Sequence, residues 1–374
     1  MTPPAVVARL TANAGVKRCV ALVALALTAA LVMLGLFGPA QGDHRVDDGG
    51  DRGFYARIID QVHAGQPYDQ AVIQDLRAAD GPARPFLTVR PPLLTVAMAA
   101  LPDQAARTLS LRLLAVAVLL AWFWRLRATS REIRHGWLLL LALTTGAGIA
   151  LSPTAYLMHE AWAGLLIALS LALRTPERWL ASVLVATLSA LIRELAAAYL
   201  LVMIVFALAE RRPKEVLGWT LGLVVFAAAL TRHAQAVNAL LLPSDQASPG
   251  WLKLGGWPFV LHAASWNLAT IFLSPWVLAC VFPLALLGLA AWRDALGRRV
   301  ALTVFGYVIA FMVAGRAVNF YWGLIMAPLW PLGAAMAPSA LALVWRWLGA
   351  GGAGQVDPPV SPADQPQTAV AVVR

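Results

Sequence analysis

The stretch from residue 17 to residue 40, "KRCVALVALALTAALVMLGLFGPA", decides how the rest of the chain is read. Two basic residues precede an apolar run of about 20, and Gly38 and Ala40 meet the small-residue rule for signal cleavage. The run is longer than a usual signal core, and at about 1.5 Å per helical residue it crosses a hydrocarbon layer of about 30 Å. An uncleaved first transmembrane helix is therefore expected, with exported chain after it. Similar apolar runs recur up to residue 348, hydrophobic residues make up 60% of the 374 and charged ones 13%, and mean hydropathy is +0.70. Such values lie outside those of soluble domains. The expected fold class is an all-α polytopic membrane protein.

Basic clusters separate the runs and supply an orientation. Arg125, Arg127, Arg131 and Arg134 form one; Arg174 and Arg178 the next; then Arg211, Arg212 and Lys214; then Arg293, Arg298 and Arg299. Placing them inside gives spans near 18–38, 106–125, 137–154, 160–174, 179–193, 195–210, 215–232, 267–292, 300–316 and 321–347, about ten in all, with nine to eleven admitted. Residues 1–348 then form a single transmembrane domain with a large first exterior loop, 39–105, that carries short interfacial helices. Residues 349–374, rich in Gly, Pro and Ala, read as a disordered cytoplasmic tail. The segment 86–101 is too short to cross comfortably and is closed by Pro102 and Asp103, so it is expected to be re-entrant or interfacial. Cys19 and Cys280 sit in apolar runs and are expected to be free, buried thiols. The charge of +10 is dispersed between apolar runs as a topology signal, and no nucleic-acid partner is expected.

Loop one holds Asp43, Asp47, Asp48, Asp51, Asp60, Asp69, Asp75 and Asp80, eight of the 19 acids in the chain. After Asp51, the residues Phe54, Tyr55, Ile58, Ile59 and Val62 recur at helical spacing up to Gly65 and Pro67. They predict an amphipathic helix along the membrane surface, with Asp51 as its N-cap. A carboxylate fixed there also suits a general base. Farther on, Arg90 precedes Pro91 and Pro92, which impose an extended entry into the apolar segment. An arginine at that depth either snorkels to headgroups or meets an anion.

The first helix, the exterior loop, Asp51 with Tyr55 four residues on, the "AGQPY" at the helix end and then "RPPL" together resemble the start of GT-C superfamily glycosyltransferases. That superfamily includes the protein O-mannosyltransferases and lipid A aminoarabinose transferases. The resemblance is closest over 40–100, with weaker echoes in "HEAWAG", "IRELAAAYL" and "GRAVNFYWGLIMAPLWP". It implies an inverting enzyme that takes a sugar from a polyprenyl-phosphate donor, with an acid of loop one as base. Members typically carry an Asp-Glu type motif in that loop, whereas Arg52 follows Asp51 here. The catalytic place is thus open between Asp51 and the Asp47–Asp48 pair.

Ionisable residues at helix ends on the same side extend the site. Glu160 is expected to hold the acceptor or orient a polar group beside His159, while Arg90 and Arg193 bind phosphate oxygens. Arg193–Glu194 also reads as a polar turn, and Arg316, Asn319, Tyr321 and Trp322 as interface residues that double as a phosphate and sugar surface. His233 and His262 are expected in a solvated or interfacial exterior segment. With no ligand spacing in the sequence, no metal site and no cofactor are expected, and a divalent ion beside the aspartates is left open. The partners expected are a polyprenyl-phosphate-linked sugar, a glycan, lipid or protein acceptor in cell-envelope glycan formation, and membrane lipids. The location is a bacterial-type inner membrane with an exterior-facing site. A transporter of lipid-linked sugars and a non-catalytic surface-polymer assembly protein are the alternatives.

Overall fold

A computed structural model describes residues 13–38, 51–129, 136–270 and 274–349. Among these residues the chain is all-helical, apart from one isolated bridge between Arg84 and Ala247. It divides into a large unit, 27–341, and a small one made of the residues up to 26 and from 342 onward.

Four helices are long and apolar enough to cross a membrane: α1 (Ala14–Phe37), α5 (within Gln104–Thr129), α10 (Pro213–Asn238) and α13 (Ala295–Val313). A fifth candidate is a bent pair, Ala317–Ile325 and α14 (Trp330–Gly349), broken at 74°. This is the character of a multi-pass membrane protein. The shorter apolar helices are α6 (Gly136–Ala147), α7 (His159–Leu173), α8 (Leu180–Ile192), α9 (Ala197–Ala209) and α12 (Pro275–Ala291).

Two expected spans differ in outline. The 267–292 span begins later, because Pro275 occupies the first helical position, where its missing N–H costs nothing. The 321–347 span is interrupted: residues 317–325 form a 3₁₀ turn, and Pro328 and Pro331 bracket the restart of helix α14. The interruption is packed inside the protein, with Asn319, Phe320 and Trp322 through Ile325 all buried. Glycines allow this close packing. A Cβ on Gly164 would run into the Leu324 carbonyl, and one on Gly323 into the Ala263 carbonyl. Irregular backbone at such depth survives only when protein, not lipid, surrounds it.

The helix expected after Asp51 forms, but its apolar stripe packs into the protein instead of lying along a membrane surface. Helix α2 (Asp51–His63) buries Tyr55, Ile58 and Ile59, and α3 (Tyr68–Ala78) adds Tyr68, Ala71, Val72 and Ile73. The helix opens on Asp51, whose side chain lies outside the described residues, as do Asp47 and Asp48, so the capping expectation falls there too. The expected tail beyond 349 also lies outside them. Helix α4 (Leu93–Ala99) has seven residues, about 10 Å of length, far short of a crossing. Asp103 accepts from the Ala106 amide at 2.8 Å and so caps α5. The cysteines are free but not buried: Cys19 is exposed and Cys280 partly so.

Loop one is fastened to the segment before α11 (Gly256–Ala264). Arg77 grips both oxygens of Asp245 at 2.7 and 2.8 Å, and the Ala83 and Arg84 amides donate to the Gln246 carbonyl. The Arg77 guanidinium and the Leu242 amide hold the Asp245 carboxyl down to about 2. A carboxyl whose folded pKa lies below its unfolded value of about 3.9 contributes stability in full above that value and loses it as pH falls through the folded one. Proteolysis within 77–84 is therefore expected to accelerate between about pH 4 and pH 2. Asp245→Asn should remove that acid dependence; an unchanged pH profile would mean that the clamp does not hold the loop.

Candidate functional site

Charged residues gather at the two ends of α7. Past its C-terminus, Arg174 pairs with Glu215 at 2.9 Å and with Glu210 at 3.0 Å, and Arg299 reaches Glu210 at 2.6 Å. With Arg212 reaching Glu215 at 3.1 Å, three of the basic clusters that mark turns in the sequence contribute to one end of the bundle. At the N-terminus of α7, about 22 Å away by helix length, stands Glu160.

Glu160 is fully buried, and its Oε1 accepts from Arg90 Nη1 and Arg193 Nε, each at 2.7 Å. Arg193 also pairs with Glu194. Two buried guanidinium groups on one carboxylate oxygen form an Arg–Glu–Arg triad that joins loop one to the ends of α7 and α8. Burying three charges is tolerable only because each is paired and hydrogen-bonded.

Aromatic rings complete the enclosure. The Arg90 guanidinium carbon lies 5.2 Å from the Tyr55 ring centre and 5.4 Å from that of Tyr321, whose hydroxyl accepts from Arg90 Nη2 at 3.0 Å. The Arg193 guanidinium lies 5.9 Å from the Trp322 ring centre. His159 packs its ring 5.0 Å from Tyr55. Contacts at this range between cations and desolvated rings contribute up to about 2 kcal/mol each.

The backbone that presents Arg90 is held from both sides. The Tyr68 hydroxyl donates to the Arg90 carbonyl at 2.7 Å, and His233 Nε2 sits 2.9 Å from the Val89 carbonyl, with Asp69 3.6 Å from its other ring nitrogen. His233 is thus buried on α10 and not solvated, with the carbonyl of the extended Val89 lying against its ring. Burial pushes the Tyr68 phenol well above its ordinary value, so it stays a donor. His262 is partly exposed and is stacked on Phe320 at 4.1 Å.

Of the residues singled out in the sequence, Tyr55, Arg90, His159, Glu160, Arg193, Glu194 and Tyr321 come together here. Arg316 does not join them; its guanidinium reaches Ser248 Oγ at 3.3 Å and the Pro249 carbonyl at 3.5 Å. Arg52, one position past Asp51, reaches Thr154 Oγ1 at 3.4 Å and Met158 Sδ at 3.9 Å, which brings the start of α2 beside the start of α7. Sequence reading missed Tyr68, Asp69 and Trp266 as contributors. The polar tip of "AGQPY" was a signal for the first.

Several buried polar atoms around this centre have no hydrogen-bond partner among the described residues: Glu160 Oε2, both His159 ring nitrogens, Asn319 Oδ1 and Trp322 Nε1. Buried polar atoms are seldom left unpaired, so their concentration marks a place built to receive polar groups. Chemically, the set offers planar guanidinium donors, rings and amide or indole hydrogen-bonding atoms. That combination suits a phosphate attached to a sugar. Among the described residues no group of three His, Cys, Asp or Glu is placed to hold a metal ion. No known protein family, curated protein sequence or solved structure gives a match to this chain.

Proposed function

We propose that the protein is a membrane glycosyltransferase of GT-C type, which moves a sugar from a polyprenyl-phosphate donor to an exterior acceptor in cell-surface glycan formation. The reading adds the five shorter apolar helices to the long ones as spans, about ten in all, and sets the Glu160 end at the exterior face of a bacterial-type inner membrane. One observation carries it: the buried Arg90–Glu160–Arg193 triad lined by Tyr55, Tyr321 and Trp322, next to the start of the aspartate-bearing helix α2. A transporter has little use for a fixed cation–aromatic centre at one end of the bundle.

In this scheme the donor phosphate lies against the Arg90 and Arg193 guanidinium groups, whose charge stabilises the phosphate as it leaves. Asp51, Asp48 or Asp47 accepts the proton of the acceptor hydroxyl as its oxygen bonds to the anomeric carbon. The bond from that carbon to the phosphate oxygen breaks, its electron pair leaves with the lipid phosphate, and the anomeric centre inverts. Glu160 sets the spacing of the two arginines and takes no proton.

The test is transfer from a labelled polyprenyl-phosphate sugar by the purified protein, with Asp51→Asn, Asp48→Asn and Asp47→Asn made singly. One of the three is expected to lose about 10²–10⁴-fold, the weight of a general base. Full activity in all three variants would remove the mechanism. The break at 74° between residues 325 and 330 favours the transporter alternative, since discontinuous helices line transport sites. Movement of labelled lipid across vesicles without transfer would establish that alternative instead.

A further inference from the structure

Arg52 stands where the resembling enzymes carry an acid, and the proposed chemistry gives it no task. Its contacts to Thr154 and Met158 are long and carry no charge, its Nε is buried without a partner, and among the described residues no carboxylate faces it. The guanidinium carbon lies 5.8 Å from the centre of the Trp266 ring. Trp266 is more than nine-tenths buried, and its indole N–H also lacks a partner. From Trp266 the aromatic surface continues to Phe320 at 5.6 Å and on to the stacked His262. Phe320 lies between Asn319, whose Oδ1 is unpartnered, and Tyr321, which holds Arg90.

Arg90 and Arg193 are already matched by carboxylates; among the described residues Arg52 is not. A partly desolvated guanidinium without a counter-ion is costly, and the natural remedy is an anion supplied by a ligand. The buried Trp266 indole N–H, without a partner among the described residues, supplies a donor for a sugar hydroxyl beside that guanidinium. We propose that Arg52 and Trp266, with Phe320 beside them, form a second subsite that takes a saccharide bearing an anionic group, a phosphate or a carboxylate, as the acceptor. The word acceptor rests on the transferase reading; the anionic-sugar site does not.

The subsite is tested by saturation-transfer NMR on the full-length protein in phosphatidylcholine nanodiscs, with glucose 6-phosphate, glucuronate, methyl glucoside and inorganic phosphate as probes. The two anionic sugars should bind roughly 10- to 100-fold more tightly than methyl glucoside, the weight of a charge-assisted hydrogen bond. Arg52→Gln should erase that preference, Arg52→Lys should keep part of it, and Trp266→Phe should weaken all three sugars alike. Equal binding of charged and neutral sugars, or an intact preference in Arg52→Gln, overturns the proposal. Loss of the signal when phosphatidylglycerol replaces phosphatidylcholine would assign Arg52 to a lipid headgroup and overturn the saccharide. Displacement by inorganic phosphate with no effect of Trp266→Phe would do the same. If labelled-sugar transfer fails while the Arg52-dependent preference holds, the transferase reading falls and the subsite stands; if transfer proceeds and Arg52→Gln leaves the acceptor KM unchanged, the reverse follows.

Discussion

Glu160→Gln is expected to cost about 3–5 kcal/mol of folding stability, because it removes the buried carboxylate that Arg90 and Arg193 share, although Arg193 keeps Glu194. Arg90 and Arg193 share the same oxygen, and neither can swing into water without opening the bundle. The neutral amide keeps the shape and loses the charge. Thermal unfolding of the detergent-purified variant should show a large fall in melting temperature together with a poor membrane yield. A melting temperature equal to that of the wild type would mean that the triad is not the buried charge centre described above.

Arg90→Gln should separate from that result. Glu160 keeps Arg193 in this variant, so the remaining pair is still compensated and the protein should fold better than Glu160→Gln. Transfer should nevertheless fall by about 10²–10³-fold, the usual weight of one preorganised donor facing a developing oxyanion. Arg90→Lys should lie between the two, since an ammonium keeps the charge but cannot reach Glu160 and Tyr321 through one planar fork. A fall in kcat at near-constant melting temperature is the signature sought. Parallel losses in both would reduce Arg90 to a structural residue.

How much of this could be seen in the sequence varied with the reach of each interaction. The stripe from Phe54 to Val62 repeats at helical spacing within ten residues, so α2 was legible, and the apolar runs made the membrane character plain. Arg90 was legible as an arginine that either snorkels to headgroups or meets an anion. Its partner lies 70 positions away, however, and nothing local distinguishes Glu160 from any other acid at a turn. That Arg193 shares the same oxygen is a product of packing alone. The late start of α12 was written in Ser274-Pro275 and the broken helix in Pro328 and Pro331, but the hydropathy of both stretches is so uniform that proline was outweighed. Arg52 was noticed only as a departure from a pattern. The side that it faces is set by Trp266, more than two hundred residues on.

The clasp between loop one and the segment around Asp245 also bears on how the protein is made. Arg77, Ala83 and Arg84 emerge from the ribosome more than 160 positions before the residues that bind them. At roughly 5–20 residues per second, synthesis leaves that loop without its partner for on the order of ten to thirty seconds. During that interval the nascent chain displays the apolar faces of α2 and α3, with nothing of the later segment yet in place to cover them. A chaperone or protease would meet the protein in this unfinished form, and a chain stalled before α10 would stay in it.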